Sequence, residues 1–277
     1  MGTFLLKGGR EPGEGAGAGD GGGGPGPGRT GAASPRLGRA VRAAGAADEV
    51  GGVVLLLPDG EAVSRRRPSR LSYAAQLPFA RALARAGAGE GLAVHVVRYR
   101  WRGWNAADAH PAEDAGWAAD EVRRRYGDVP VCLAGHGMGG RAALRAAGHG
   151  SVASVLALAP WLPGRPEDPP EPVGQLVERH VLIVHGTDDE HTDPELSFRL
   201  AERAKRANRD TCRFEVHSDG HALRQHRSEV VALAADFVRG SLFARSYARP
   251  VADALAAPPP LGLRMPLAAG FGRSLRY

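Results

Sequence analysis

The eight residues LAGHGMGG, Leu133 to Gly140, decide how the rest of the chain is read. The aliphatic run VCLA (131–134) leads into Gly135-His136-Gly137-Met138-Gly139, and small helix formers follow. This is the outline of a Gly-x-Ser-x-Gly turn, in which a sharp strand-to-helix corner lifts a side chain above the end of a sheet. Here the middle position is Gly137, which has no side chain. Such a corner strains a residue bearing a Cβ by about 1–3 kcal/mol, whereas glycine enters it readily. Gly135 and Gly139 suit the close approach of strand and helix.

Working outward, short β-rich runs alternate with helical patterns. VVLLL (53–57), LAVHVVRY (92–99), VPVCLA (129–134), VLALA (155–159), VLIV (181–184) and RFEV (213–216) read as strands, mostly buried on both faces. Pro111 opens a helix whose Ala115, Ala118, Val122 and Tyr126 follow helical spacing, and Gly127 stops it. Asp193 and Pro194 form a cap and first-turn pair before Leu196, Leu200 and Ala204, and Val230, Leu233 and Phe237 give a last helix its buried stripe. Alternation of this kind predicts a doubly wound, mostly parallel α/β sheet with a site at the carboxyl ends of its strands.

Three loops after strands carry the polar chemistry: GHGMG (135–139), HGTDD (185–189) and HSDGH (217–221). Their order matches nucleophile, acid, histidine, each at a strand end. On these motifs residues 50–243 resemble an α/β-hydrolase-fold protein of the small esterase or lysophospholipase-like kind. The resemblance implies that Asp189 orients the imidazole of His221, the general base, with Asp188 as the fallback acid. It also implies that the N–H of Met138 and an N–H near Asp59 or Gly60 form an oxyanion hole. Gly137 stands where the family has its serine.

Without that hydroxyl the expectation is catalytic impairment. Loss of a catalytic serine lowers kcat by about 10⁶-fold, leaving about 10⁻⁵ s⁻¹ from a typical 10 s⁻¹. Two active alternatives remain: a His221/Asp189 dyad that activates water, or a displaced nucleophile, for which Asp59 is a candidate. A third reading is a non-catalytic ligand- or protein-binding module. A carboxylate of Asp59 aimed into the site would repel an oxyanion; one aimed outward would not. Gly137→Ser is expected to lower stability modestly and restore ester hydrolysis. Trp101, Trp104 and Trp161 follow strand ends and, with His136, are candidates to line a pocket for a small acyl or ester-like ligand. His185, Asp188, Asp189, His191 and Asp193 match no defined metal spacing, so no metal or cofactor is expected.

Composition bounds the rest. The net charge of +6 is carried almost wholly by arginine, since Lys7 and Lys205 are the only lysines. Arg65–Arg67 falls in a loop and Arg123–Arg125 near a helix end, neither within a nucleic-acid motif, so no nucleic-acid partner is expected. No apolar run reaches the roughly 18–20 residues of a membrane span. Cys132 and Cys212 are too few for a disulfide framework and fit a reducing, cytoplasmic setting. Residues 8–31 hold 13 glycines and no large apolar side chain, too little to offset the entropy of ordering. The expected organisation is a disordered leader over 1–49, a hydrolase-fold domain over 50–245 and a flexible tail over 246–277.

Overall fold

The order of apolar runs sets the sheet. The computed structural model describes residues 33–165, 167–273 and 275. Its strands are β1 (Arg36–Leu37), β2 (Gly52–Leu57), β3 (Leu92–Arg98), β4 (Val131–His136), β5 (Val152–Leu158), β6 (His180–Gly186), β7 (Thr211–Val216) and β8 (Met265–Pro266). They form one sheet in the order β1-β3-β2-β4-β5-β6-β7-β8, parallel throughout except for β1. In β2, Val53, Leu55 and Leu57 enter one core while Val54 and Leu56 enter the other. A strand apolar on both faces requires a helical layer on each side.

The helices supply those layers. On one face lie α2 (His110–Tyr126), α3 (Met138–Arg145) and α4 (Pro194–Ala207), packing Ala115, Ala118, Leu144 and Leu200 against the sheet. On the other lie α1 (Arg70–Ala86), α5 (Arg227–Phe243) and α6 (Arg249–Ala256), contributing Leu83, Leu233, Phe237 and Val251. Local chemistry fixes their ends. Ser69 caps α1 by accepting the Ser72 N–H at 3.1 Å, and Asp193 caps α4 by accepting the Glu195 N–H at 2.8 Å. Gly127 ends α2 at φ 78°, its N–H reaching Arg123 O. None of the described helices is long and apolar enough to cross a membrane. The expected doubly wound α/β-hydrolase fold is what the chain adopts.

Both expected domain boundaries need correction. Within the leader drawn over 1–49, β1 pairs with β3, and Val41 exchanges backbone hydrogen bonds with Val94. Residues 1–32 lie outside the described residues. Within the tail drawn over 246–277, α6 buries Val251 and Ala254, and β8 adds to the sheet beside β7. Two buried cations hold this segment. Lys205 Nζ donates to Ala254 O (3.0 Å), Leu255 O (3.2 Å) and Thr211 O (2.7 Å), and Arg213 donates to Leu263 O (3.0 Å).

The chain leaves β2 for β3 on one side, then crosses back to β4 on the other. This reversal opens a crevice beyond the carboxyl ends of β2 and β4, where doubly wound sheets bind ligands.

Candidate active site

Register brings the first two residues of the site together. Parallel pairing sets Leu57 level with Gly135. Two residues further along each strand path come Asp59 and Gly137, so these two meet across the crevice. Gly137 adopts φ 54°, ψ −119° between β4 and α3, and a Cβ built on it would lie 2.3 Å from Asp59 Oδ1. Gly139 is needed for a different reason: a Cβ there would strike Leu57 O at 2.0 Å, so α3 could not rest against β2.

The Asp59 carboxylate points inward. Its Oδ1 accepts the N–H groups of Met138 (2.8 Å) and Gly60 (2.8 Å). Oδ2 lies 3.7 Å from His221 Nε2 and 4.0 Å from His136 Nδ1. The two N–H groups expected to receive an oxyanion are therefore held by a carboxylate belonging to the chain. Single replacement of Gly137 by serine, expected from sequence to restore hydrolysis, would drive the new side chain into the Asp59 carboxylate, which would have to swing away to admit it.

His221 sits between two carboxylates. Its Nδ1 lies 2.9 Å from Asp189 Oδ2, and since a carboxylate only accepts, Nδ1 carries the proton. Its Nε2 is buried without a hydrogen-bond partner. Asp189 is anchored by the N–H groups of His191 (2.8 Å) and Thr192 (3.0 Å) and by the Thr192 hydroxyl (2.7 Å). Burial alone would raise the Asp189 carboxyl, but these bonds and that from His221 hold it at about 2. Asp188 does not join them. It is exposed and accepts from Thr187 Oγ1 at 2.9 Å.

A second histidine flanks the pair. The His136 ring packs edge-on to His221 with centroids 4.5 Å apart, and its Nε2 donates to His221 O at 2.8 Å. Because a carbonyl only accepts, Nδ1 of His136 is the unprotonated nitrogen, and it faces Asp59. Burial lowers His136, while the two carboxylates outweigh burial and raise His221. Burial also opposes ionisation of Asp59, yet His221, the Met138 N–H and His136 together hold its carboxyl below the ordinary value.

Sequence reasoning missed the layer beneath Asp189. His185 is fully buried, with Nε2 3.1 Å from Asp189 Oδ2 and Nδ1 2.9 Å from Ser197 Oγ. Burial, with the Arg213 charge, pushes this imidazole down to about 4. Thr192 also approaches His221 Nδ1, at 3.3 Å. Its sequence signal is an Asp followed three residues later by Thr, a spacing that lets an aspartate accept from the backbone of its own loop.

Above the histidine is a cavity of about 270 Å³ whose lining includes Asp59, Gly137, Met138, Trp161, His191 and His221. Of the residues expected to line a pocket, Trp161 does so. Trp104 lies beneath it in the core, edge-on at 6.3 Å. Trp101 is half-buried outside the lining, and His136 stands behind His221. Arg141 stacks on both Trp104 (4.1 Å) and Trp161 (4.9 Å) and donates to Glu171 at 2.7 Å, tying the segment after β5 to α3.

No protein-family model matches the sequence, and no curated protein matches it. Solved structures do resemble the chain in fold. The esterase Pf2001 of Pyrococcus furiosus aligns over 70% of this chain and 84% of its own at 14% identity, with a TM-score of 0.55. XC6422 of Xanthomonas campestris, a serine hydrolase without a lid, aligns over 76% and 90% at 18% identity, TM-score 0.54. A serine hydrolase homologue from Coxiella burnetii aligns over 74% and 91% at 18% identity, TM-score 0.51. At such identities the likeness is one of fold: the chain is an α/β-hydrolase-fold protein.

Proposed function

We propose that this chain is a catalytically impaired relative of the serine ester and acyl hydrolases, keeping a crevice for a small acyl or ester-like molecule but no serine to attack it. One observation carries the reading: Asp59 Oδ1 accepts the Met138 N–H and lies 2.3 Å from where a Cβ of residue 137 would stand. The nucleophile's volume and its oxyanion donors are both taken by one carboxylate. A negative group there opposes the charge that develops when an ester carbonyl is attacked.

The test is labelling of the purified chain with a fluorophosphonate probe, alongside turnover of short acyl esters. Neither labelling nor turnover is expected. Labelling at any serine, or turnover abolished by His221→Ala, overturns the reading and favours respectively a displaced serine or a dyad that activates water. The double variant Gly137→Ser with Asp59→Gly removes the collision and frees both N–H groups. It is expected to gain ester hydrolysis that depends on His221 and Asp189, while Gly137→Ser alone gains none.

A further inference from the structure

Three potential ligand atoms converge in the crevice. Asp59 Oδ2, His136 Nδ1 and His221 Nε2 lie within 4.8 Å of one another, each from a loop or strand end at the same edge of the sheet. From this convergence we infer that the chain binds a divalent transition-metal ion of the zinc type through Asp59, His136 and His221, with an open coordination position facing the cavity. The inference rests on the reading that Asp59, rather than a serine, occupies the turn at Gly137.

Each ligand already has the outer partner that a metal site requires. A ligating histidine generally donates its second N–H to a carboxylate or carbonyl, which fixes the tautomer and aims the free nitrogen. His221 does so through Nδ1 to Asp189, and His136 through Nε2 to His221 O. Asp59 is held by Oδ1 on two backbone N–H groups, leaving Oδ2 free. His221 Nε2, one corner of this triangle, is buried and makes no hydrogen bond. An ion between the three atoms would supply this nitrogen with a partner.

The spacing is close to that of a bound ion. With separations of 3.7, 4.0 and at most 4.8 Å, a point equidistant from the three atoms lies no more than about 2.5 Å from each, against roughly 2.0–2.1 Å for zinc bonds. Inward shifts of about 0.4 Å close the gap, within reach of small side-chain rotations. Two imidazoles and one carboxylate suit zinc and its neighbours, whereas calcium and magnesium prefer all-oxygen shells. Asp59 and His221 both line the cavity, so the unfilled position opens onto it. Glycine at 137 makes the arrangement possible, since any Cβ there would displace Asp59.

The test is calorimetric titration of the chelator-treated full chain with Zn²⁺, repeated with Co²⁺ while visible absorption is recorded. One ion per chain is expected, with a cobalt spectrum of a low-coordinate nitrogen and oxygen site. Asp59→Asn keeps the Oδ1 acceptor and the fold; it and His136→Gln should each weaken binding by about 100-fold or more, and Asp189→Asn by about 10–100-fold. His226→Ala, outside the crevice, should change nothing. Circular dichroism of each variant separates lost binding from lost fold. Absence of binding at micromolar zinc, or stoichiometric binding that survives both Asp59→Asn and His136→Gln, overturns the site. If fluorophosphonate labelling is absent in the same preparation, only the metal site falls; labelling overturns the impaired-hydrolase reading beneath it.

Discussion

Two parts of this molecule place charged groups against backbone, and they do so to opposite ends. Beneath the sheet edge, Lys205 and Arg213 are sealed from water and donate to the carbonyls of α6 and the segment before β8. At the crevice, Asp59 accepts two backbone N–H groups but keeps one oxygen facing the cavity, its side chain 41% exposed. The first arrangement spends its hydrogen bonds on holding the chain in place. The second leaves capacity unused, and unused capacity beside a cavity is what binding needs. Stability and chemistry are thus divided between buried cations and a half-exposed anion.

The sharpest way to break this contrast is Lys205→Met. It leaves buried carbonyls without a donor and should lower unfolding free energy by about 3–5 kcal/mol in urea titrations. Zinc binding by the folded fraction should be unaffected.

His185 tests the border between the two regions. Its imidazole is held neutral to about 4, below the ordinary 6.5. Between those values the unfolded chain takes up a proton that the folded chain refuses, so stability falls as pH drops. The contribution is whole above pH 6.5 and is lost by pH 4, a change of about 3 kcal/mol. In His185→Gln that part of the pH dependence should vanish, measured as the difference in unfolding free energy between pH 7 and pH 4.

Gly137→Ser combines a positive φ with a collision and should lower stability by about 1–3 kcal/mol. Adding Asp59→Gly should recover part of the loss, because the collision goes and the strain at φ stays. A double variant as unstable as the single one would show that Asp59 does not fill the turn. The smallest effect belongs to Asp59→Asn, which keeps the Oδ1 bonds and should change stability by less than about 1 kcal/mol. A larger loss would move Asp59 into the same class as Lys205.

How much of this was legible in the sequence follows from how far each signal reaches. The central strands and the ends of α2 and α4 are local: aliphatic runs, a proline in the first turn, an aspartate cap, a terminal glycine. They stand in the sequence much as they do in the fold. β1 and β8 have two residues each, too few for any alternation, and are recognisable only from their partners. The C-terminal segment read as a tail because its order depends on Lys205 and Arg213, dozens of residues away. Asp59 could be read as pointing in or out; strand register across β2 and β4 decides it, and register is not written in either strand alone. In the sequence His136 and Asp59 stand apart, one a candidate pocket residue and the other a candidate nucleophile or obstacle. Their convergence with His221 is a property of three strand ends meeting in space.

The opposition of Asp59 and Gly137 also ties two positions into one switch. A side chain placed at 137 meets the carboxylate, and a carboxylate that swings clear lets go of the Met138 N–H. Volume at the turn and vacancy at the helix start are thus coupled: whatever fills the first empties the second.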